Sequence, residues 1–461
     1  MRLALKIAMV MLLVLAILIP LSMIRGTIDE RQRFRQEAVA EVTRSFAGEQ
    51  AIAGPVLVVP YREQAEVEER DAQGVLRKQL REVEREWLFF PASLSLQGKV
   101  LPAIRKRGLH QVRVYEWQGR IDATFDVRLP VADPARPRTL GTPWLNIGIA
   151  DVRGLVGAPT LRLAGAALPV LQGQHGRSDG GVHAQLPTAT VADGRIVFPL
   201  QFGFALRGTE AMAMVPLADS NRMVLTSPWP HPQFNGDFLP RTHRIDARGF
   251  RAEWDVSSLA SNAQAQYRNG GDASSGRPRG VVGADAAVAV GTERIAIDKV
   301  GLSLVEPVNL YSKVDRASKY GVLFVLLTFI GFFMFETLKQ LPIHPIQYAL
   351  VGLALAIFFL LLLSLSEHIT FGWAYVVAAT ACIGLIGFYV GHVLRSRARG
   401  LGFAGMLALL YAALYGLLVS EDNALVLGAG LLFAVLASLM VVTRKVDWYQ
   451  VAARVGARGV P

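Results

Sequence analysis

Residues 341–366 read LPIHPIQYALVGLALAIFFLLLLSLS, a run without a single Asp, Glu, Lys or Arg. At ~1.5 Å of rise per helical residue, such a run is long enough to cross the hydrocarbon core of a bilayer. A core helix of a soluble protein keeps a polar stripe, and this one has none. Working outward, four more nearly uncharged stretches neighbour it. Tyr320–Phe335 precedes it, closed by Glu336. Ile369–Leu394, Leu401–Ser420 and Asn423–Thr443 follow. A sixth stands alone at the start of the chain, where IAMVMLLVLAILIPLSMI lies between Lys6 and Arg25. It exceeds a signal-peptide apolar region of ~7–15 residues and has no small-residue cleavage site after it, so it reads as an uncleaved anchor.

The whole chain has 461 residues, 52% apolar and 18% charged, which excludes intrinsic disorder. Its single cysteine, Cys382, excludes a disulfide framework. The formal charge is +11. Outside residues 25–318 the cations are Arg2, Lys6, Lys319, Lys339, Arg395, Arg397, Arg399, Arg444, Lys445, Arg454 and Arg458. Within 25–318 there remain 37 Lys and Arg against 32 Asp and Glu, a net of +5. The densest basic cluster there, Arg105-Lys106-Arg107, is short, so the charge is no nucleic-acid footprint. With the N-terminus in the cytoplasm, every cation named above except Lys319 falls on the cytoplasmic side, as the positive-inside rule requires. Glu367-His368 and Glu421-Asp422 then occupy the outside turns. Both termini are expected in the cytoplasm, with residues 25–318 across the membrane.

That large insert begins with a helix expected over 28–47, continuing from the anchor. Thr27-Ile28-Asp29-Glu30 reads as a capping box that starts it, Phe34, Ala38, Val42 and Phe46 share a face, and Gly48 is a plausible stop. Short alternating apolar runs follow, such as Pro55–Val59, Gln111–Tyr115, Ala123–Leu129 and Ile196–Phe204, punctuated by Gly and Pro. RNGGDASSGRPRGV at 268–281 reads as a mobile loop. The expected fold is a polytopic α-helical membrane protein with about six transmembrane helices and a large β-rich, sandwich-like periplasmic domain inserted between the first and second. The segments are an anchor at 1–26, the periplasmic domain at 27–318, a membrane bundle at 319–443 and a cytoplasmic tail at 444–461. Spans of the bundle are expected near 319–338, 344–366, 369–393, 401–420 and 423–443.

Chemistry-bearing motifs are sparse. Gly400-Leu401-Gly402-Phe403-Ala404-Gly405 matches G-x-G-x-x-G, but RSRAR precedes it where a dinucleotide fold needs a strand, and its small residues suit helix packing in lipid. The eight His show no metal-ligand spacing, and neither a nucleophile elbow nor a Walker loop occurs. No catalytic residue, cofactor or metal site is therefore assigned. The candidate functional polar residues are Glu336, His344, Glu367 and His368, because ionisable groups at membrane depth are costly. Glu336 has His344 or Lys339 as a conceivable partner. Glu367 and His368 form either an acid–base pair for protons or ions, or a pair of interfacial residues. In Ser227-Pro228-Trp229-Pro230-His231-Pro232-Gln233-Phe234, Trp229 and Phe234 are candidates for partner binding, the alternative being that they plug the β core.

These residues together resemble the CreD family, inner-membrane proteins associated with cell-envelope integrity. The resemblance runs through Arg31–Glu41, Gln50–Leu57, Arg107-Gly108, Asp151-Val152-Arg153-Gly154, Trp229-Pro230-His231-Pro232 and Gly249–Trp254. It is densest from Glu306-Pro307-Val308 through Tyr311, Arg316, Lys319-Tyr320, Phe335-Glu336 and His344-Pro345-Ile346-Gln347-Tyr348 to His368. Phe46-Ala47 stand where the family usually has Trp-Gly. The resemblance implies the inner membrane of a Gram-negative-type cell, a periplasmic β domain, and a role in envelope integrity and stress tolerance. It supplies no catalytic residues. The leading expectation is a non-enzymatic protein whose periplasmic domain binds an envelope component or protein. A transporter or channel for an ion, lipid or cell-wall fragment, and a membrane enzyme acting on a lipid-linked substrate, are the alternatives.

Overall fold

A computed structural model describes residues 2–70, 76–108, 110–131, 137–187, 194–271, 273, 297–304, 310–339, 344–393, 396–420 and 424–444. The expected loop from 274 onward, Arg395, the Glu421-Asp422 turn and the tail after 444 lie outside the described residues. The helices described are α1 (Arg2–Phe46), α2 (Ala263–Arg268), α3 (Leu310–Lys339), α4 (Pro345–Ser366), α5 (Phe371–Val393), α6 (Arg397–Val419) and α7 (Ala424–Thr443). The chain divides into two compact units, Met1–Gln36 with Val308–Pro461, and Glu37–Pro307.

The first unit is helical. Five helices are long and apolar enough to cross a membrane, in α1 and α3 to α6, and α7 adds a shorter apolar stretch, Val426–Ser438. Ile17, Leu21, Ile24 and Ile28 of α1 share one core with α3, α4, α5 and α6. On α4, Tyr348, Val351, Leu355, Phe359 and Leu362 are buried, while Leu350, Leu353, Ile357 and Leu360 face outward. A helix apolar on both faces is one that lipid surrounds. The expected helix start at Thr27 is absent, because α1 runs through it unbroken. The Thr27 hydroxyl donates back to the Met23 carbonyl (3.2 Å) instead of capping forward.

The second unit is a β structure of two sheets. The nine-stranded sheet is ordered Pro232–Gly236, Val300–Leu304, Ala211–Val215, Gln50–Arg70, Trp144–Ile149, Ser178–Gln185 and Leu171–Gln174, with Leu76–Phe89 and Arg138–Leu140 also paired to Gln50–Arg70. The eight-stranded sheet runs Thr242–Asp246, Gly249–Ser257, Ser220–Ser227, Ser93–Arg107, His110–Arg128, Arg195–Thr209, Thr160–Leu163 and Ala166–Leu168. Their inner faces share a single core. Period-two alternation explains this. In Arg195–Thr209, Ile196, Phe198, Leu200, Phe202, Phe204 and Leu206 are buried, and the residues between them face out. Trp117 meets Phe204 edge-to-face, with centroids 5.2 Å apart. That ring occupies the space over Gly119, where a Cβ would stand 2.2 Å from Phe204.

Candidate functional site

The candidate ionisable residues of the helical unit lie at the two ends of α4. The first is the junction of α3 and α4. Glu336 lies near the end of α3 and is only 3% exposed. Its Oε2 accepts a hydrogen bond from the Tyr348 hydroxyl at 2.7 Å. Tyr348 sits one turn into α4, fully buried, with its ring edge-on to Phe329 and Phe332 at 5.7 and 4.7 Å. A buried carboxyl of this kind is stable only when hydrogen-bonded, and the phenol supplies such a bond. His344, expected as a possible partner of Glu336, serves a different purpose. It is the N-cap of α4: its Nδ1 accepts from the Ile346 N–H (3.4 Å), and its own N–H donates to the Gln347 side chain (3.2 Å). The short HPIQY segment thus caps the helix at its first residue and delivers Tyr348 to the carboxyl at its last.

The second place is the opposite end of α4. Glu367 is the C-cap, its side chain 9% exposed, and its ion-pair partner is Arg31 of α1 at 3.6 Å. That distance is an ion pair too long for a hydrogen bond. Arg25 of α1 donates to the Ser318 carbonyl at 3.1 Å. Asp315 and Lys319 pair at 2.7 Å along α3, and Lys313 lies over the Phe371 ring at 5.6 Å. His368 is exposed, and its backbone N–H closes the helix on the Leu365 carbonyl at 3.0 Å. The acid of the expected Glu367–His368 pair therefore turns to α1, and His368 is exposed.

In the β unit, Trp229 and Phe234 are half-buried and pack against the core. Phe234 meets Phe250 and Trp254 edge-to-face at 5.9 and 5.5 Å. The Trp229 indole N–H donates to the His231 carbonyl at 2.9 Å, and the Arg113 guanidinium lies 5.5 Å from its ring. Both aromatics are largely engaged within the domain. Among the described residues no three His, Cys, Asp or Glu side chains gather closely enough to hold a metal ion.

Sequence reasoning missed Tyr348 and Arg31 as partners. Tyr348 stands in the HPIQY segment, but the packing of α4 on α3 decides which group its hydroxyl meets. Arg31 was not legible, because 336 positions separate it from Glu367.

A sequence model of the family described as Inner membrane protein CreD matches residues 2–449. The chain belongs to the CreD family. Inner membrane protein CreD of Escherichia coli (strain K12) is 36% identical over 437 residues, covering 95% of this chain and 91% of that one. As a CreD-family member with several apolar spans, the chain is a multi-pass protein of the inner membrane. Among solved structures, the M1 zinc metallopeptidase of Deinococcus radiodurans aligns over 36% of this chain and 38% of its own, at 9% identity. Its TM-score of 0.18 carries no argument about fold or chemistry.

Proposed function

We propose that this CreD-family protein maintains envelope integrity and stress tolerance without catalysis, its β unit engaging an envelope component in the periplasm while the helical bundle anchors it. The observation that supports this reading is the placement of a two-sheet domain in the chain between the first apolar span and the others. The distribution of Lys and Arg adds the orientation, with both termini in the cytoplasm. Deletion is expected to raise permeability to detergents and bulky antibiotics. Unaltered permeability across osmotic, detergent and cell-wall stress would remove the reading.

Orientation has its own test. Cys382 is the one cysteine, so Cys382→Ser gives a clean background. A cysteine placed at Leu259, 97% exposed, is expected to react with an impermeant maleimide in intact cells. One placed at Ala398, also exposed, is expected to react only after lysis. The reverse pattern sinks the proposed orientation.

A second reading, proton or ion movement through the bundle, draws on one observation, the buried Glu336 carboxyl with its Tyr348 donor. Reconstituted liposomes that show flux lost in Glu336→Gln would favour it. No flux for protons or metal ions in the native chain would dispose of it.

A further inference from the structure

The outer face of the eight-stranded sheet carries a row of cations set by strand register. Arg244 lies opposite Arg251, Arg251 opposite Thr226, Thr226 beside Lys99, and Lys99 opposite Gln118. Two clefts of about 570 and 750 Å³ open on this face and share Lys99, Thr226 and Arg251 in their walls. Some cations nearby are already neutralised. Arg120 pairs with Asp122 at 3.0 Å, Arg222 with Glu253 at 2.5 Å, and Arg244 with Asp246 at 3.4 Å. Lys99, Arg248 and Arg251 make no ion pair among the described residues, and all three are exposed.

Two cations directly opposite each other across a strand pair repel. Arg244 and Arg251 hold such a pairing, and Asp246 answers only Arg244. An anion placed between Arg251 and Lys99 would offset the charge of Arg251, which no acid among the described residues answers, and gain charge-assisted hydrogen bonds from both cations. These two cations stand two strands apart, ~10 Å at the usual strand spacing. Between and beside them lie hydroxyls and amides, from Thr226, Gln97 and Gln118. We infer that this face binds an anionic glycan, whose charged groups meet Arg251 and Lys99 and whose sugar hydroxyls meet the amides and hydroxyls between. This deepens the envelope function proposed above and rests on it for the source of the glycan.

The test uses the full chain in non-ionic detergent micelles and fluorescent dextran sulfate oligomers as the probe. Binding is expected to weaken as salt rises, and neutral dextran of equal length is expected not to compete. Lys99→Gln and Arg251→Gln each lower affinity about tenfold, the loss of one charge-assisted contact. Lys99→Arg retains binding. Arg195→Gln, on the same sheet but outside both clefts, leaves it unchanged. Melting curves matching the native chain show that each variant is folded. Native-like binding by the double Lys99→Gln and Arg251→Gln variant overturns the inference. An equal loss in Arg195→Gln does the same, as does equal binding of polyphosphate or of phosphatidylglycerol vesicles. A failure here with a permeability phenotype intact removes only the glycan site. A missing phenotype with binding intact removes only the envelope reading.

Discussion

Ala47 has a φ of 148°, a conformation that favours glycine. The residue is buried, and its carbonyl accepts from the Thr209 hydroxyl at 2.7 Å, which fixes the backbone in place. Strain of this kind costs about 1–3 kcal/mol. Ala47→Gly removes it but gives back about 0.4–1 kcal/mol in chain entropy and about 0.8 kcal/mol for a buried methyl. Stability in chemical denaturation is therefore expected to fall between a loss of about 1 kcal/mol and a gain of about 2 kcal/mol, whereas Ala47→Val loses more than about 2 kcal/mol. At Glu336 the same kind of reasoning separates two variants. Tyr348→Phe leaves a buried carboxyl without this donor and is expected to cost about 1–3 kcal/mol in detergent. Glu336→Gln keeps an acceptor for the phenol and costs less. Asp151 carries a pH dependence. Its carboxylate accepts from the Arg153 guanidinium at 2.6 and 2.9 Å and from the Gly48 N–H at 3.0 Å. The Arg153 bonds, and then the backbone N–H groups of Gly48 and Arg153, hold it below the usual carboxylate range against the opposing effect of burial. A carboxyl lowered in the folded state stabilises fully above its unfolded value near ~4 and loses that contribution as pH falls through the folded value. Asp151→Asn is expected to cost about 1 kcal/mol at neutral pH, after solvent screening, and to flatten the acid limb of the stability curve.

Pairs of elements approach closely where side chains are missing. Gly400 of α6 lies against α5, and a Cβ there would stand 2.6 Å from the Gly391 Cα and 3.0 Å from the Gly387 carbonyl oxygen. Gly402 and Gly405 have open space around them. Only the first glycine of the G-x-G-x-x-G match is therefore a packing residue, and its role is helix contact in lipid. Gly400→Leu is expected to force α5 and α6 apart, read as a lower melting temperature and new protease sites in the bundle. Gly119→Ala is the counterpart in the β unit, where the methyl collides with Phe204. Overpacking of this kind costs about 1–3 kcal/mol and moves the Trp117 fluorescence with it.

At the scale of the molecule, the bundle core and the β core are built from different residues. Two cores make a single unfolding equilibrium a poor description. Scanning calorimetry of the full chain in detergent is expected to show two transitions. Asp151→Asn and Gly119→Ala are expected to lower one of them, and Gly400→Leu the other. A single transition moved equally by all three would show that the units unfold as one.

The sequence by itself determined the division into apolar spans and a β-rich insert, because hydrophobic periodicity and the absence of charge are local properties. It also marked Glu336 and His344 as exceptional, since ionisable groups at membrane depth are costly. Local signals failed where a longer-range contact won. The capping pattern at Thr27 was overridden by a helix already under way, which leaves no free N–H groups to cap. The tertiary structure alone decided that Glu336 meets Tyr348, that Glu367 meets Arg31, and that Phe234 packs on Phe250 and Trp254. It alone also aligned Lys99 and Arg251 across three strands. The physical reason is common to all of them. Strand register and helix packing bring together residues far apart in the chain, and nothing in the local pattern around Lys99 specifies which strand will lie beside it.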